Sequence, residues 1–460
     1  MGAFSGVDTI AAVATAPGPG ALAVVRISGP EALAILRAVA PGLSEIPGPR
    51  RATLAWLHDP VDGSALDHAV VVRYEGGGSP TGEDLVELSC HGGRLVPALV
   101  LQACVDAGCR RAEPGEFTKR AYLHGKLDLI QAEAVADLVT AGSRALHRVA
   151  VAQLERGLSD RLAGLRGALV RLEAMLAHHV DFPEEDDAPT PIEGLVHEAT
   201  AVADKMRALL GTAPEGELLR EGALVVLAGL PNAGKSSLYN ALVGEDRAIV
   251  TEEPGTTRDA LEASVQVGGY PFRLVDTAGL RETGDRVERL GVEVALRYLQ
   301  RADVVLYCSV AGEPLGEDER RFLAEAPAVP VVRVETKGDL AGAERVGEAA
   351  GFAFAGTIRV SVESGAGLSE VRDALARLAY GGLLDAEDDA PVVTRRRHAR
   401  ALERAHGEVT AFLGALSEGV PPEVASTHLE GAGAALEEMV GLVSREDVLD
   451  AVFGEFCVGK

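Results

Sequence analysis

The apolar residues of this chain fall into successive textures. Over residues 1–120 short apolar runs alternate with Gly and Pro. ALAVVRI (21–27) and HAVVVRY (68–74) read as strands, and LVPALVLQACVDAG (95–108) as a helix that closes at glycine. From Leu127 to Val180 apolar residues return at three- and four-residue spacing without proline, the pattern of long amphipathic helices. DFPEEDDAPTP (181–191) interrupts them as an acidic loop, and helical spacing resumes from Ile192 to Leu219. At Ala223 the pattern turns to short buried strands. LVVLAGL is followed by FRLVD (272–276), DVVLYCS (303–309), PVVRVET (330–336) and TIRVS (357–361), most of them separated by helical stretches. That alternation predicts an α/β domain with a largely parallel sheet. GLLDAEDDAP (382–391) reads as a linker, and RRRHARALERAHGEVTAFLGAL and the remainder are helical again.

This order predicts a multidomain α/β plus α protein with segments at 1–120, 121–220, 221–380 and 381–460. Four domains in a row is one arrangement. The other inserts the α/β unit between two halves of one helical domain. We expect the insertion, because neither helical half is large enough to bury a good core alone. A length of 460 residues agrees with three domains of roughly 150 residues each.

Composition removes several classes. With 47% hydrophobic and 25% charged residues the chain is not disordered, and no apolar run is long enough to span a membrane. MGAFSGVDTIAAVATAPGPG lacks the basic start and apolar block of a secretory signal. Cys90, Cys104, Cys109, Cys308 and Cys457 are scattered without CxxC spacing, which disfavours disulfide and cysteine-zinc frameworks and fits a reducing cytoplasm. The net charge of −25, from 44 basic and 69 acidic side chains, repels polyanions at long range. A nucleic-acid partner therefore needs a local basic patch or a basic helper protein. Aromatics at 4% argue against an extended base-stacking platform.

The chemistry is concentrated after Ala223. GLPNAGKS, Gly229 to Ser236, fits G-x-x-x-x-G-K-[ST] between a strand and a helix. Its glycines let backbone N–H groups fold around phosphates, with a helix N-terminus behind them. Lys235 would reach the β- and γ-phosphates and promote transfer, and the Ser236 hydroxyl would bind Mg²⁺. Asn232, Ala233, Gly234 and Ser237 complete the loop's contacts. DTAG (Asp276, Thr277, Ala278, Gly279) ends the next strand, where a carboxylate can hold Mg²⁺ through water and an N–H can meet the γ-phosphate. GTTRD, from Gly255, offers Thr257 to the Mg²⁺ shell. In TKGD (Thr336, Lys337, Gly338, Asp339) the aspartate can accept from guanine N1–H and N2–H, which selects GTP over ATP; Ser361 lies in the segment that follows. Any one of these motifs alone reads as a solvated turn. Four in order, each after a predicted strand, read as a nucleotide site.

The set resembles a TRAFAC-type GTPase domain with three departures. Thr336 stands where the guanine motif usually has Asn, Ser361-Val362-Glu363 stands for SAK, and Leu280 follows DxxG where many GTPases carry the water-orienting Gln.

DTIAAVATAPGPGALAVVRISGP, TGEDLVELSCHGG (81–93), PGEFTKRAYLHGKLDLIQAEAVADL (114–138), DFPEED (181–186), the GTPase core and FCVGK run the length of the chain. On these motifs the chain resembles, end to end, the MnmE (TrmE) family of tRNA wobble-uridine modification GTPases. The resemblance implies an N-terminal α+β folate-binding-type domain that dimerises, a helical domain from two chain segments, and an inserted Ras-like G domain. It implies work with an MnmG-type flavoprotein to add a (carboxymethyl)aminomethyl group at C5 of the tRNA wobble uridine, from 5-formyl- or 5,10-methylene-tetrahydrofolate. By motif position, the folate contacts are Arg26, Glu87, Lys126 and Lys460. The resemblance also implies a K⁺ held by Asn232, the Thr251 and Glu253 carbonyls and Thr256, with Glu288 as the water-orienting carboxylate and Glu282 as its nearer rival.

Other residues take plainer readings. CVGK is a poor prenylation box, and a free Cys457 most often serves as a small buried hydrophobe. His91 and His178-His179 lack companion ligands at metal spacing. Arg395-Arg396-Arg397-His398 with Arg400 reads either as a solvated helix start or as a contact for tRNA phosphates. A GTPase switch in ribosome assembly is the competing function, since that class shares the nucleotide motifs but appends a basic RNA-binding module.

Overall fold

The computed structural model describes residues 8–181, 192–246, 262–277, 297–324, 328–340, 352–386, 390–442 and 446–460. They form two compact units, one of residues 1–136 with 437–460 and one of residues 137–436.

The first unit runs β1 (Ile10–Val13), β2 (Leu22–Ser28), α1 (Ala32–Val39), β3 (Thr53–His58), β4 (Ala65–Tyr74), β5 (Leu85–His91), α2 (Val96–Asp106), β6 (Arg110–Arg111), α3 (Glu116–Leu123) and α4 (Leu129–Thr140). Its sheet has the order β3-β4-β5-β2-β1-β6, antiparallel except for β1 with β6. Successive strand residues point to opposite faces. Ala23, Val25 and Ile27 of β2 and Val86 and Leu88 of β5 therefore meet Ile35, Leu36, Val100 and Cys104 of α1 and α2 in one core. The intervening residues face the other way, and there Arg26 lies directly opposite Glu87 in the ladder.

A C-terminal helix, Glu446–Gly454, packs in this unit with Phe453, and Phe456 just after it joins Phe453 against Leu129 and Ala132 of α4. Val458 makes an isolated antiparallel bridge with Pro114. Gly459 (φ +98) lies so close to β1 that a Cβ there would stand 2.4 Å from the Val13 carbonyl oxygen, so only glycine fits. Residues 437–460, read from sequence as part of the second helical segment, thus pack with the N-terminal block.

The second unit contains α5 (Arg144–Leu154), α6 (Gly157–Asp181), α7 (Ile192–Leu210), α8 (Ala213–Glu221), β7 (Ala223–Gly229), α9 (Lys235–Asp246), β8 (Glu262–Val267), β9 (Tyr270–Asp276), β10 (Val304–Val310), α10 (Glu317–Ala324), β11 (Val331–Thr336), β12 (Gly356–Arg359), α11 (Leu368–Asp385), α12 (Arg396–Ser417) and α13 (Pro422–Val440). Ser143 caps α5 by accepting from the Leu146 N–H. Leu402, Ala405, Val409 and Phe412 recur on one face of α12 and are buried, and α12 packs along α7. Helices from both sides of the α/β segment thus share one bundle. The sheet order is β12-β11-β10-β7-β9-β8, parallel apart from β8.

One reading needs correction. The expected linker from Gly382 begins as helix, because α11 continues to Asp385 and the Glu215 carboxylate accepts from the Gly382 and Leu383 N–H groups at 2.9 and 2.6 Å. Two members of the arginine cluster have partners within the chain. Arg395 is buried and paired with Asp137 at 2.8 Å, and Arg396 pairs with Glu217 and Glu221. Glu217 and Glu221 thus flank the helix start, where the Arg396 side chain stays 64% exposed.

Candidate functional site

All the parallel strands end at one edge of the second unit's sheet, the edge where α/β folds bind ligands. The register places Gly229 beside Cys308 and Asp276 beside Leu227, with Thr336 reached across β10 at Val310. Gly229 (φ +139) lets the chain turn off β7 where a Cβ would stand 2.2 Å from the Cys308 carbonyl oxygen. The loop then enters α9, whose first residue is Lys235. The buried Lys235 ammonium donates to the Gly229 and Leu230 carbonyls at 3.1 and 2.8 Å, which centres it over the loop. Asn232 takes a left-handed conformation (φ 62), tolerable for asparagine, and is exposed.

The Ser236 hydroxyl donates to Asp276 Oδ2 at 2.6 Å, bringing together a hydroxyl and a carboxylate. Two hard oxygen donors side by side fit Mg²⁺, which prefers one or two protein oxygens and keeps several waters. Thr277 donates to the Leu227 carbonyl at 2.7 Å, so its side chain fixes the strand end. Cys308, buried beneath the loop, has its thiol pushed up to about 12 by desolvation and is a packing residue.

At the other end of the edge, Thr336 is buried while Lys337 and Asp339 are exposed. A hydrogen bond from the buried Ser361 hydroxyl holds the Asp339 carboxyl below the usual carboxylate range, so it is an ionised double acceptor at neutral pH. Ser361 is therefore placed to orient Asp339. Thr251, Glu253, Gly255, Thr256, Thr257, Ala278, Gly279, Glu282 and Glu288 lie outside the described residues.

The first unit holds the other expected group. Arg26 donates to Glu87 Oε1 through Nε at 3.0 Å and Nη2 at 2.7 Å, and its guanidinium lies 5.7 Å from the Phe117 ring centroid. Tyr74, missed in the sequence, donates to Glu87 Oε2 at 3.4 Å; burial and the Glu87 charge raise its phenol. Its signal was parity, since Tyr74 and Val72 share a strand face and Val72 pairs with Glu87. Lys126 donates to the Gly77 carbonyl, and Arg50 donates to the Gly78 carbonyl at 2.9 Å, so two cations clamp the turn after β4. Lys460 follows Gly459, which touches β1. The pair Arg26–Glu87 offers a donor and an acceptor on a half-buried sheet face, a donor set that fits the polar edge of a pterin.

Cys457 is exposed, against the expectation of burial. His91 pairs with Asp67 at 2.7 Å. Among the described residues no cluster has metal-ligand composition, and no helix is long and apolar enough to cross a membrane.

A family model for the MnmE helical domain matches residues 129–457, and one for the GTP-binding protein TrmE N-terminus matches residues 9–126. The protein named tRNA modification GTPase MnmE from Thermotoga petrophila is 40% identical over 458 residues, covering 98% of this chain and 100% of the relative. The proteins of the same name from Heliobacterium modesticaldum and Neisseria meningitidis serogroup B are each 41% identical, covering 98% and 99% of this chain and 99% of each relative. Matches of this extent at both ends of the chain, around the nucleotide edge just described, mean that the chain belongs to the MnmE (TrmE) family of tRNA modification GTPases.

Proposed function

We propose that this chain hydrolyses GTP in tRNA modification, acting as a homodimer through its N-terminal block with an MnmG-type flavoprotein. The product is a (carboxymethyl)aminomethyl group at C5 of the wobble uridine of certain tRNAs. The observation that carries the reading is the meeting of Lys235, Ser236, Asp276 and the Thr336–Asp339 turn at one sheet edge, in a chain whose N-terminal sheet presents Arg26 and Glu87.

The GTP site serves as a motor rather than as the place of uridine chemistry. Lys235 steadies the β- and γ-phosphates and Asp339 selects guanine. Mg²⁺, held through Ser236 and Thr257, would neutralise charge on the phosphates. Asn232, Thr251, Glu253 and Thr256 would hold K⁺, and Glu288 would orient water. Arg26, Glu87, Lys126 and Lys460 would hold the tetrahydrofolate that supplies the carbon. The ribosome-assembly reading would call for an appended basic RNA-binding module, whereas this chain carries a net charge of −25 and a folate-type N-terminal block.

The deciding experiment is mass spectrometry of tRNA nucleosides from a strain lacking the gene. Loss of the C5-modified wobble uridine, restored by the parent gene but not by an Asp339→Asn gene, is expected. Normal nucleosides with accumulated ribosomal precursors would overturn the proposal. For the folate part, calorimetry of 5-formyl-tetrahydrofolate with the full chain should give binding that Arg26→Ala weakens; no binding to the parent removes it.

A further inference from the structure

Thr336 occupies the position where the guanine motif usually carries an amide, yet its side chain is turned away from the exposed Asp339. It is 2% exposed, and its hydroxyl lies 2.8 Å from the Ala233 carbonyl and 3.1 Å from the Ser309 carbonyl. Its own carbonyl accepts from the Ala311 N–H at 2.9 Å, fixing the backbone at the end of β11. Its Cβ and Oγ1 stand 3.2 Å from where a Cβ on Gly234 would lie, so the side chain packs directly against the phosphate loop. A hydroxyl has one proton. Here that proton serves two backbone acceptors, and the oxygen is enclosed by the loop rather than open to a base.

We propose that Thr336 is a positioning residue for the phosphate loop. Through Ala233 and Gly234 it ties the loop to β10 and β11 and sets where the loop's N–H groups meet the β-phosphate. It makes no base contact, and guanine selection is left to Asp339. The inference rests on the GTP reading of the same edge and extends it, because it separates phosphate affinity from base choice at neighbouring residues of one motif.

The two roles differ in which part of the nucleotide feels the substitution. Thr336→Val keeps the shape and the packing on Gly234 but removes the donor, leaving the Ala233 and Ser309 carbonyls without it. In the full chain with Mg²⁺, GTP and GDP should each bind roughly five- to fiftyfold more weakly. GMP, which lacks the β-phosphate, should be unaffected in competition against a fluorescent GDP. Thr336→Ser retains the hydroxyl and should bind GTP within about threefold of the parent. An equal loss for GMP would mean a base contact and would overturn the proposal, as would undiminished GTP and GDP binding or a Thr336→Ser loss equal to that of Thr336→Val. If Thr336→Val does not fold, Thr336→Asn decides the matter. Its amide supplies two protons for the two carbonyls, so GTP must bind at least as tightly as to the parent; weaker binding overturns the proposal. A folded parent that binds no GTP removes the GTPase reading itself. A parent that binds, with a Thr336→Val variant that binds equally, removes only the role given to Thr336.

Discussion

The hydroxyl of Tyr380 donates a 2.6 Å hydrogen bond to the carbonyl of Pro271. It also lies 3.0 Å from the Leu218 carbonyl and accepts from the Ala223 N–H at 3.3 Å. One buried oxygen thus joins the end of α8, the first residue of β7 and the start of β9, at a break in α11 where Tyr380 leaves helical geometry (φ −136, ψ 26). Its ring stacks on Tyr270 with centroids 4.7 Å apart.

Tyr380→Phe keeps the ring and deletes the oxygen. We expect a loss of about 1–3 kcal/mol, the usual cost of leaving buried polar groups unpaired. Urea unfolding followed by circular dichroism measures it. Stability equal to the parent would show that the three strands of chain are not joined by this hydroxyl in solution.

Ser236→Ala removes one of the two side-chain oxygens proposed to hold Mg²⁺, the other being Thr257, and with it the hydroxyl that donates to Asp276 at 2.6 Å. GTP hydrolysis should fall by roughly 10²-fold or more, and the Mg²⁺ concentration for half-maximal rate should rise. A magnesium titration of steady-state hydrolysis tests both, and a variant indistinguishable from the parent at every magnesium level would contradict the assignment.

Asp339→Asn exchanges an acceptor for a donor. GTP affinity should drop at least tenfold, and xanthosine triphosphate should gain. Because Ser361 holds the carboxyl below its usual range, the parent should retain guanine selection as pH falls toward 4, losing it only on further acidification. Nucleotide titrations across pH with both bases provide the check.

Hydrolysis should run well faster in potassium than in sodium. Glu288→Ala should lower kcat by roughly 10²-fold or more with GTP binding nearly intact, as for a group acting in the transition state. Equal rates in both salts, with a fully active Glu288→Ala, would remove the cation and the carboxylate from the mechanism together.

Arg120 is buried and pairs with Asp8, Glu83 and Glu116. Arg120→Ala takes the cation from Glu83, while Asp8 and Glu116 keep Arg110 at 2.9 and 2.7 Å, and should destabilise the first unit by about 2–4 kcal/mol. Burial alone would raise the Asp8 and Glu116 carboxyls, but hydrogen bonds and charge from Arg110 and Arg120 lower both. A depressed folded-state value contributes stability above the unfolded value near 4, and that stability is lost as pH falls through the folded values. The parent should therefore lose stability on acidification more steeply than Arg120→Ala; Asp8, more than a third exposed, supplies little of the difference. Parallel slopes in thermal melts below pH 4 would refute it.

What the sequence revealed was local. The phosphate loop is legible because its backbone demands glycine at fixed spacing, and β7 and β10 because buried parallel strands are near-continuous apolar runs, with shorter apolar stretches marking β9 and β11. β3 and β5 escaped because half of each faces outward: TLAWLH and LVELSCH mix polar and apolar residues. The Arg395 pairing was invisible because Asp137 lies 258 residues earlier. The extension of α11 was likewise set by a distant carboxylate, Glu215. Thr336 showed its departure from the usual asparagine in the sequence, but the direction of its hydroxyl appears only in three dimensions.

The seating of Gly459 on β1 bears on the order of events at the ribosome. Residues 10–136 leave the ribosome early, yet Phe453, Phe456, Val458 and Gly459 emerge only after the whole of residues 137–436. Domains generally fold as they are synthesised, N-terminal first. Here the N-terminal sheet must wait with the surface around Pro114, Leu129 and Val13 uncovered while a second unit is made and folded. That interval is a window in which a nascent-chain chaperone or a second copy of the same sheet can reach apolar surface that the finished protein keeps closed.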